Sequence, residues 1–448
     1  MLIEFSVSNF RSIKDMQTLS FLATAINEHE QTNTFQATDK VRLLKSTCIY
    51  GANGSGKSNL VKAMWAMINF IKAPFEDRKK FDEHIQPFKL NISTRNEGSF
   101  FQIVFIIEGK TYRYGFVYLK GKIMSEWLFG TANKNEVEYF TREGKDFNIN
   151  KERFKEGIGL ESKTREDNLF LNVVFEFNGK IAESVRALLD TIFVIRGSDK
   201  IIENELREYS HEALESEETK RDLMQFLQTA DADIHNLKMN DDFDVEELLK
   251  KRFGMKINFD EIESIDDYYK NIDFERISKE YTLSGGDLLS MGNQNQIISQ
   301  RKLFNENEQE VGLVNFDFEE EASEGTKKMF NYAGIFVYLM KSGGTIIIDE
   351  FDARFHTKLT KTIVKLFNSE KNKLVQCCFV THDTNLLDNN LLRRDQIYFT
   401  EKNKKGETSV YSLNEINGVR NDSSFEKDYL KGKYGATNFI SHSNSLFE

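Results

Sequence analysis

The chain has 448 residues, a formal net charge of −11 at pH 7, 40% hydrophobic residues and 29% charged residues. This length predicts about three domains. The composition is that of an ordinary soluble protein, and no apolar run approaches the roughly 18 residues of a membrane span. The first residues form a strand pattern instead of a signal peptide, so we expect a cytoplasmic protein. The acidic charge opposes wholesale wrapping of nucleic acid but is compatible with a local basic groove.

The N-terminal region carries a glycine-rich motif between two regular elements. Residues 2–7 alternate apolar and polar side chains as a half-buried strand does, and the sequence NFRSI follows at residues 9–13. Residues 51–58 read GANGSGKS, a complete G-x-x-x-x-G-K-S loop. An apolar run at 47–50 precedes it and a helical pattern at 59–67 follows it, which is the context that a phosphate-binding loop requires.

This loop predicts a nucleotide-binding site. Backbone N–H groups and the start of the helix would surround a β-phosphate, Lys57 would neutralise the β- and γ-phosphates, and Ser58 would ligate Mg²⁺. The residues expected to bind the nucleotide here are Asn53, Gly54, Ser55, Gly56, Lys57, Ser58 and Asn59.

The middle of the chain changes character twice. Three strand patterns with tight turns between them, at residues 100–107, 111–119 and 123–129, predict an antiparallel meander. Residues 180–260 are charged and helix-periodic, but their apolar repeat does not persist for the roughly three or four heptads of a coiled coil. We therefore favour a helical insertion over a coiled-coil arm. The polar, acidic residues 293–321 are predicted to form a loop.

Strand and helix patterns alternate in the C-terminal part of the chain. Helices are predicted at residues 327–340 and 356–367, and strands at 344–348, 374–380 and 396–400. Such alternation predicts a mainly parallel sheet. We expect the glycine-rich segment and this C-terminal part to complete one nucleotide-binding sheet.

Polar residues follow two of these strands. Asp349 and Glu350 end the first of these strands. In P-loop ATPases, an acid at this place holds Mg²⁺ through water, and an adjacent glutamate can polarise the attacking water. We assign Asp349 to the metal and Glu350 to the general base. His382 follows the next strand, at the edge where a γ-phosphate would lie, and is assigned a hydrogen bond to that phosphate. The other histidines form no zinc-binding pattern.

Two segments compete for the role of a signature that contacts the γ-phosphate of a second subunit's ATP. Residues 283–287 read LSGGD, close to the LSGGQ of ABC-type ATPases, but they lie far before the Asp-Glu strand and no clear helix follows them. Ser323, Glu324, Gly325 and Thr326 open a helix that leads directly into that strand. A serine and a glycine at a helix N-terminus form an anion site. We favour this second segment.

Together these motifs resemble the ABC-type ATPases of the SMC, RecF and OLD group. They are most similar to the compact RloA-like subfamily, which includes the ATPase subunit of the PARIS anti-phage system. The resemblance is carried by NFRSI at 9–13, the glycine-rich loop, SEGT at 323–326, IIDEFD at 347–352, THDT at 381–384, LRRDQI at 392–397 and YLKGKYGA at 429–436.

The resemblance implies a homodimer or higher oligomer in which ATP lies between the P-loop of one subunit and the SEGT signature of the other. It also implies a separate effector, commonly a TOPRIM-type nuclease encoded nearby. Gln86 would be the family's magnesium- and water-sensing glutamine, and Asp352 would belong to a loop that communicates between the two sites. Only 66 residues follow His382, too few for the TOPRIM domain of OLD relatives, so nuclease activity is expected in a partner.

We predict an α/β fold: an ABC-type ATPase head with a mixed, mainly parallel nucleotide-binding sheet, an antiparallel β-subdomain and a helical insertion. The predicted divisions are an N-terminal ATPase lobe at 1–135, a mainly helical insertion at 136–310 and a C-terminal ATPase lobe at 311–448.

The leading hypothesis is an ATP-binding and ATP-hydrolysing switch subunit of a bacterial anti-phage defence system of the abortive-infection type. An alternative is an SMC- or RecF-like DNA-repair ATPase that clamps DNA directly, which salt-sensitive DNA binding by the purified protein alone would support. A transporter subunit is a further alternative, which copurification with a membrane protein would support. The missing LSGGQ at the expected place argues against the transporter.

Overall fold

The computed structural model describes residues 1–74, 80–132, 135–197, 200–240, 297–420 and 423–437. The chain divides into two compact units, one formed by Met1–Asp199 with Tyr338–Glu448 and the other by Lys200–Val337. None of the helices within the described residues has the combined length and apolar character of a bilayer-crossing segment.

The strands and helices of the described residues are numbered in chain order. The strands are β1 (Leu2–Ser8), β2 (Gln17–Ser20), β3 (Thr34–Thr38), β4 (Val41–Leu44), β5 (Ser46–Tyr50), β6 (Ser99–Ile107), β7 (Lys110–Leu119), β8 (Lys122–Ala132), β9 (Asn135–Glu143), β10 (Asp146–Ile149), β11 (Ile192–Ile195), β12 (Ile234–Met239), β13 (Ile297–Phe304), β14 (Glu310–Asp317), β15 (Gly344–Ile348), β16 (Val375–Val380), β17 (Ile397–Lys402) and β18 (Thr408–Ser412). The helices are α1 (Glu30–Asn33), α2 (Lys57–Lys72), α3 (Phe170–Glu176), α4 (Lys180–Asp190), α5 (Lys200–Glu215), α6 (Glu217–Ala230), α7 (Phe318–Glu321), α8 (Glu324–Ser342), α9 (Thr357–Phe367) and α10 (Phe425–Leu430).

The central sheet of the first unit has the order β11-β15-β16-β5-β17-β18. All neighbours are parallel except β18, which is antiparallel to β17. Strands β5 and β16 are buried along their whole length, because a parallel sheet is covered on both faces and needs continuous apolar strands. The glycine-rich segment and the C-terminal part therefore complete one sheet, as predicted.

A second sheet of the same unit is antiparallel and has the order β10-β9-β8-β7-β6-β1-β2. The predicted meander corresponds to β6, β7 and β8, and β9 and β10 extend it beyond the prediction. Helix α2 packs against this sheet, with the ring of Phe70 at 5.4 Å from that of Phe116 and 5.0 Å from that of Tyr118. The predicted mixed, mainly parallel sheet and antiparallel β-subdomain are both confirmed.

The second unit combines helices with a three-stranded sheet of order β12-β13-β14. The helical patterns that follow residue 200 form α5 and α6, and Gly334 of α8 lies so close to α5 that an added Cβ would be 2.2 Å from the Ser210 nitrogen. The loop predicted at 293–321 is wrong from residue 297 onward, since β13 and β14 form a hairpin there. Much of this hairpin is exposed, so it lacks the apolar alternation that reveals a half-buried strand. The LSGGD segment lies outside the described residues.

Candidate nucleotide-binding site

The glycine-rich loop connects β5 to α2 and depends on two of its glycines. Gly51 has φ of 156° and Gly56 has φ of 111°, a backbone region that residues with a Cβ rarely adopt. A Cβ at Gly51 would lie 2.4 Å from the hydroxyl oxygen of Thr400, and one at Gly56 would lie 2.2 Å from that of Thr408. The loop can therefore rest on the β17–β18 hairpin only with glycine at both positions.

Hydroxyl groups hold the loop against its neighbours. The Ser55 and Thr400 hydroxyl oxygens are 2.6 Å apart, and the Thr408 hydroxyl donates to the Ser55 carbonyl at 2.9 Å. The hydroxyl oxygen of Ser12, from the NFRSI segment, accepts a hydrogen bond from the Asn59 side chain at 2.7 Å and lies 2.8 Å from that of Thr408. Sequence reasoning missed the supporting roles of Thr400 and Thr408, because nothing in their local sequence signals a contact with a loop some 350 residues away.

Lys57, the first residue of α2, is buried at the centre of the loop. Its ammonium donates to the carbonyl oxygens of Gly51 at 2.7 Å and Ala52 at 3.1 Å. Burial lowers the pKa of Lys57 to about 8, although the neighbouring carboxylates, Asp349 first, act in the opposite direction. This lysine is thus a cation in a site where its charge costs free energy unless an anion binds nearby.

The two predicted carboxylates follow β15 directly. Asp349 is buried, and burial raises its pKa, opposed by a hydrogen bond from the Ser58 hydroxyl. Glu350 has φ of 53° and is exposed, and its N–H donates to Asp349 Oδ1 at 3.1 Å. The left-handed turn at Glu350 separates the two side chains into a buried and an exposed carboxylate. Both carboxylates line the same cavity, where the buried one could hold a metal ion and the exposed one could reach a water molecule.

His382 follows β16, one strand nearer to the loop. The backbone N–H of His382 donates to Asp352 Oδ1 at 3.1 Å, which joins the segment after β15 to the segment after β16. Burial lowers the pKa of the imidazole, and the charge of Lys57 lowers it further. The ring is therefore neutral at pH 7 and has one nitrogen able to donate a hydrogen bond and one able to accept.

These groups surround one cavity of about 290 Å³. Every predicted loop residue from 53 to 59 lines it, together with Asp349, Glu350 and His382. Two further lining residues, Val380 and Lys402, were not predicted. Residues from three separate parts of the chain meet here because β5, β15, β16 and β17 end at the same edge of the sheet.

Gln86 is not brought to this cavity. Its side-chain N–H₂ donates to the Asp82 carbonyl at 2.7 Å, and it lines a different cavity of about 690 Å³ beside Tyr118. The assignment of Gln86 to the metal thus rests on sequence resemblance alone.

The SEGT segment lies in the second unit, at the N-terminus of α8. Ser323 is exposed, and its hydroxyl accepts a hydrogen bond from the Thr326 N–H at 3.1 Å, as a helix-capping serine does. Thr326 is buried, and its hydroxyl lies 3.4 Å from Asp231 Oδ2. Arg301 pairs with the same carboxylate oxygen at 3.3 Å. Glu324 is exposed and Gly325 half-buried, so the start of this helix is accessible.

The donor set in the cavity fits magnesium. Ser58 and Asp349 supply a hydroxyl and a carboxylate in mutual contact, and such oxygen ligands are those that Mg²⁺ prefers. A cation at this point would also offset the cost of burying the Asp349 charge, which otherwise raises the pKa of that carboxyl.

The pKa of Lys57 leads to a pH prediction. Phosphate binding requires the charged ammonium, so the Kd for ATP should be constant below pH 8 and rise by up to about tenfold per pH unit above it.

The same lowered pKa affects the stability of the fold, which should increase with pH while the affinity for ATP decreases. The unfolded chain binds more protons than the folded chain between the lowered pKa of about 8 and the ordinary 10.5, so the free energy of unfolding should rise there with pH.

Titration of ATP from pH 6.5 to 9.5 checks the prediction. Lys57→Arg, whose guanidinium stays charged over this range, should show a flat profile even if its affinity is weaker. A wild-type Kd that is unchanged up to pH 9.5 would contradict the assignment of the lowered pKa to this lysine.

The strand, loop and helix with a carboxylate pair and a histidine at one sheet edge define a P-loop protein of the ATPase type. The chain belongs to the family described as "AAA domain, putative AbiEii toxin, Type IV TA system", whose model matches residues 46–388. No curated protein matches the chain.

Solved structures of SMC heads are similar over most of the chain. The SMC head domain from Thermotoga maritima has a TM-score of 0.40 and 12% identity, covering 92% of this chain and 98% of that one. The SMC head bound to the C-winged helix domain of ScpA has a TM-score of 0.36 and 14% identity, with coverage of 92% and 97%. The Pyrococcus furiosus SMC head with an extended coiled coil, bound to the C-terminal domain of ScpA, has a TM-score of 0.34 and 14% identity, with coverage of 92% and 96%.

Proposed function

We propose that the chain binds ATP with magnesium and hydrolyses it. The observation that carries this proposal is the single cavity that contains Lys57, Ser58, Asp349, Glu350 and His382. A lysine and a helix N-terminus for phosphates, a buried carboxylate with a hydroxyl for the metal, and an exposed carboxylate are the groups that phosphoryl transfer to water needs.

Each group has a distinct part in the reaction. The loop N–H groups and Lys57 bind the β- and γ-phosphates and hold them in one orientation. Ser58 and Asp349 hold Mg²⁺, which supplies positive charge to the phosphate oxygens when bound. Glu350 accepts the proton of the attacking water. The neutral ring of His382 donates a hydrogen bond to the γ-phosphate, and the backbone N–H of the same residue connects it through Asp352 to the segment after β15.

The second part of the proposal is a composite site shared by two copies of the chain. The α8 N-terminus combines the exposed Ser323 hydroxyl with backbone N–H groups, so it suits the γ-phosphate bound by another copy. Head-to-tail pairing would place one P-loop opposite one SEGT segment at each of two sites. ATP would then hold the two copies together, and hydrolysis would release them.

The cellular part of the proposal rests on the sequence motifs that resemble RloA-like ATPases. We infer a cytoplasmic switch subunit of an anti-phage defence system, whose nucleotide state controls a separate effector, a TOPRIM-type nuclease. The toxin-antitoxin term in the family description agrees with a role in such systems. Copurification of a nuclease encoded by a neighbouring gene tests this, and a membrane protein in its place would contradict it.

A mixing experiment tests the composite site. Lys57→Ala removes the phosphate-binding cation, and Ser323→Arg places a bulky side chain at the signature, so each variant alone should hydrolyse no ATP. Mixed in equal amounts, they form heterodimers with one intact site, made of Lys57 from one chain and Ser323 from the other. Random pairing should restore about a quarter of the wild-type rate of phosphate release.

Two controls accompany this test. Ser284→Arg, in the competing LSGGD segment, should leave hydrolysis unchanged, and its inactivation together with an active Ser323→Arg would reverse the choice of signature. Ser323→Arg should still bind ATP through its own P-loop. A mixture as inactive as its components would contradict pairing in trans.

A further inference from the structure

Lys402 lines the nucleotide cavity, yet no sequence motif includes it. It is the last residue of β17, which runs parallel to β5 with Phe399 opposite Tyr50. Lys402 lies three residues beyond Phe399, as Asn53 lies three residues beyond Tyr50, the last residue of β5. The strand therefore ends with its lysine level with the first half of the glycine-rich loop.

The side chain of Lys402 belongs to the face of the hairpin that contacts the loop. Residues two apart on a strand, and residues directly opposite on an antiparallel pair, share a face. Lys402 is two residues from Thr400 and is paired with Thr408. The hydroxyls of both threonines contact Ser55 of the loop. The lysine extends this threonine face beyond the end of the strand and into the cavity.

The charge of Lys402 is available to a ligand. Within the described part of the chain, no hydrogen bond or ion pair engages its ammonium, and its side chain is exposed. Glu407, in the turn between the two strands, is already occupied, because one oxygen pairs with Lys14 at 2.9 Å and the other accepts from the Asn403 side chain at 2.6 Å.

Strand order decides which end of the phosphate chain Lys402 faces. Asp349, Glu350 and His382 follow β15 and β16, which lie on one side of β5, whereas β17 lies on the other. The groups assigned to the γ-phosphate and its attacking water are thus on the opposite side of the loop from Lys402. We propose that Lys402 is a phosphate-binding residue that contacts the α- and β-phosphates shared by ATP and ADP. This inference rests on the proposed nucleotide-binding function.

The test compares Lys402→Ala with Lys404→Ala in the full chain. Lys404 is an exposed lysine of the same hairpin turn that does not line the cavity, so its loss removes the same charge without the contact. Lys402→Ala should weaken the binding of MgATP and MgADP by the same factor, about tenfold, as expected for one charge-assisted contact. Lys404→Ala should stay within about twofold of wild type for both nucleotides, since a distant exposed charge is screened by salt.

Kinetics give a second readout. Because Lys402 faces away from the reacting phosphate, Lys402→Ala should raise KM while kcat stays within about twofold of wild type, the signature of lost uniform binding. Lys402→Arg should recover most of the affinity. Equal losses in the Lys402 and Lys404 variants, or a loss for ATP without one for ADP, would overturn the inference and leave the proposed function intact. A wild-type chain that binds no ATP would overturn both.

Discussion

Replacement of Glu350 by glutamine should leave ATP binding unchanged and slow hydrolysis by about 10²- to 10⁴-fold, the usual contribution of a general base. Glutamine has the same size and can still hydrogen-bond water, but its amide cannot accept a proton at neutral pH. Glu350 is exposed, so the change should not destabilise the fold. A chain that binds ATP and does not turn it over should accumulate as the ATP-bound pair.

Single-turnover phosphate release and the mass of the complex with and without MgATP measure these two effects. Glu401→Gln is a matched control, since it makes the same chemical change at an exposed carboxylate of β17 that does not line the cavity. It should hydrolyse ATP at the wild-type rate. Wild-type turnover by Glu350→Gln would show that another group accepts the proton.

Arg393→Met should lower the free energy of unfolding by about 3–5 kcal/mol, the usual cost of removing one partner of a buried ion pair. Arg393 is 0% exposed and Asp395 is 3% exposed, and the two are paired at 2.7 Å. The guanidinium also donates to the carbonyl oxygens of Thr24, Ile26 and Glu28 at distances from 2.7 to 3.1 Å. Methionine fills a similar volume but leaves a buried carboxylate and three carbonyl groups with fewer partners.

Denaturant unfolding of the full chain measures this loss. Arg165→Met is the control, because its pair with Asp167 is at the surface, with side chains 66% and 31% exposed. Exposed pairs contribute at most about 1 kcal/mol, so this variant should unfold close to wild type. A similar small loss in both variants would mean that the Arg393 pair contributes little to holding residues 24–28 on the sheet.

Those elements whose evidence is local were predicted well from the sequence. The glycine-rich loop carries its own context, since a buried strand precedes it and a helix follows it, and the structure has β5 and α2 there. Asp349, Glu350 and His382 were placed at strand ends from apolar runs alone. Because parallel strands end at a common edge, that placement also predicted that the three side chains would meet the loop.

Elements without a local signal were missed. The β13–β14 hairpin is exposed over much of its length, and the buried positions of β13 include the polar Ser299 and Gln300, so its sequence shows no apolar alternation to detect. Gln86 is the opposite case, a residue that resembles a motif but lies elsewhere. The sequence suggested that this glutamine lies near Ser58, but in the structure its side chain contacts Asp82. Resemblance of a short motif does not determine where a side chain points when the surrounding loop is irregular.

The sequence by itself determined which groups were expected at this site: a phosphate-binding loop, an Asp-Glu pair and a histidine, each in the order and local structure that the proposed ATP hydrolysis needs. Only the tertiary structure decided what supports that chemistry. Thr400, Thr408 and Lys402 contact the loop or line its cavity because β17 is the neighbour of β5, a pairing between segments about 350 residues apart. Strand order follows from the packing of the whole core, so no local pattern could have identified these residues.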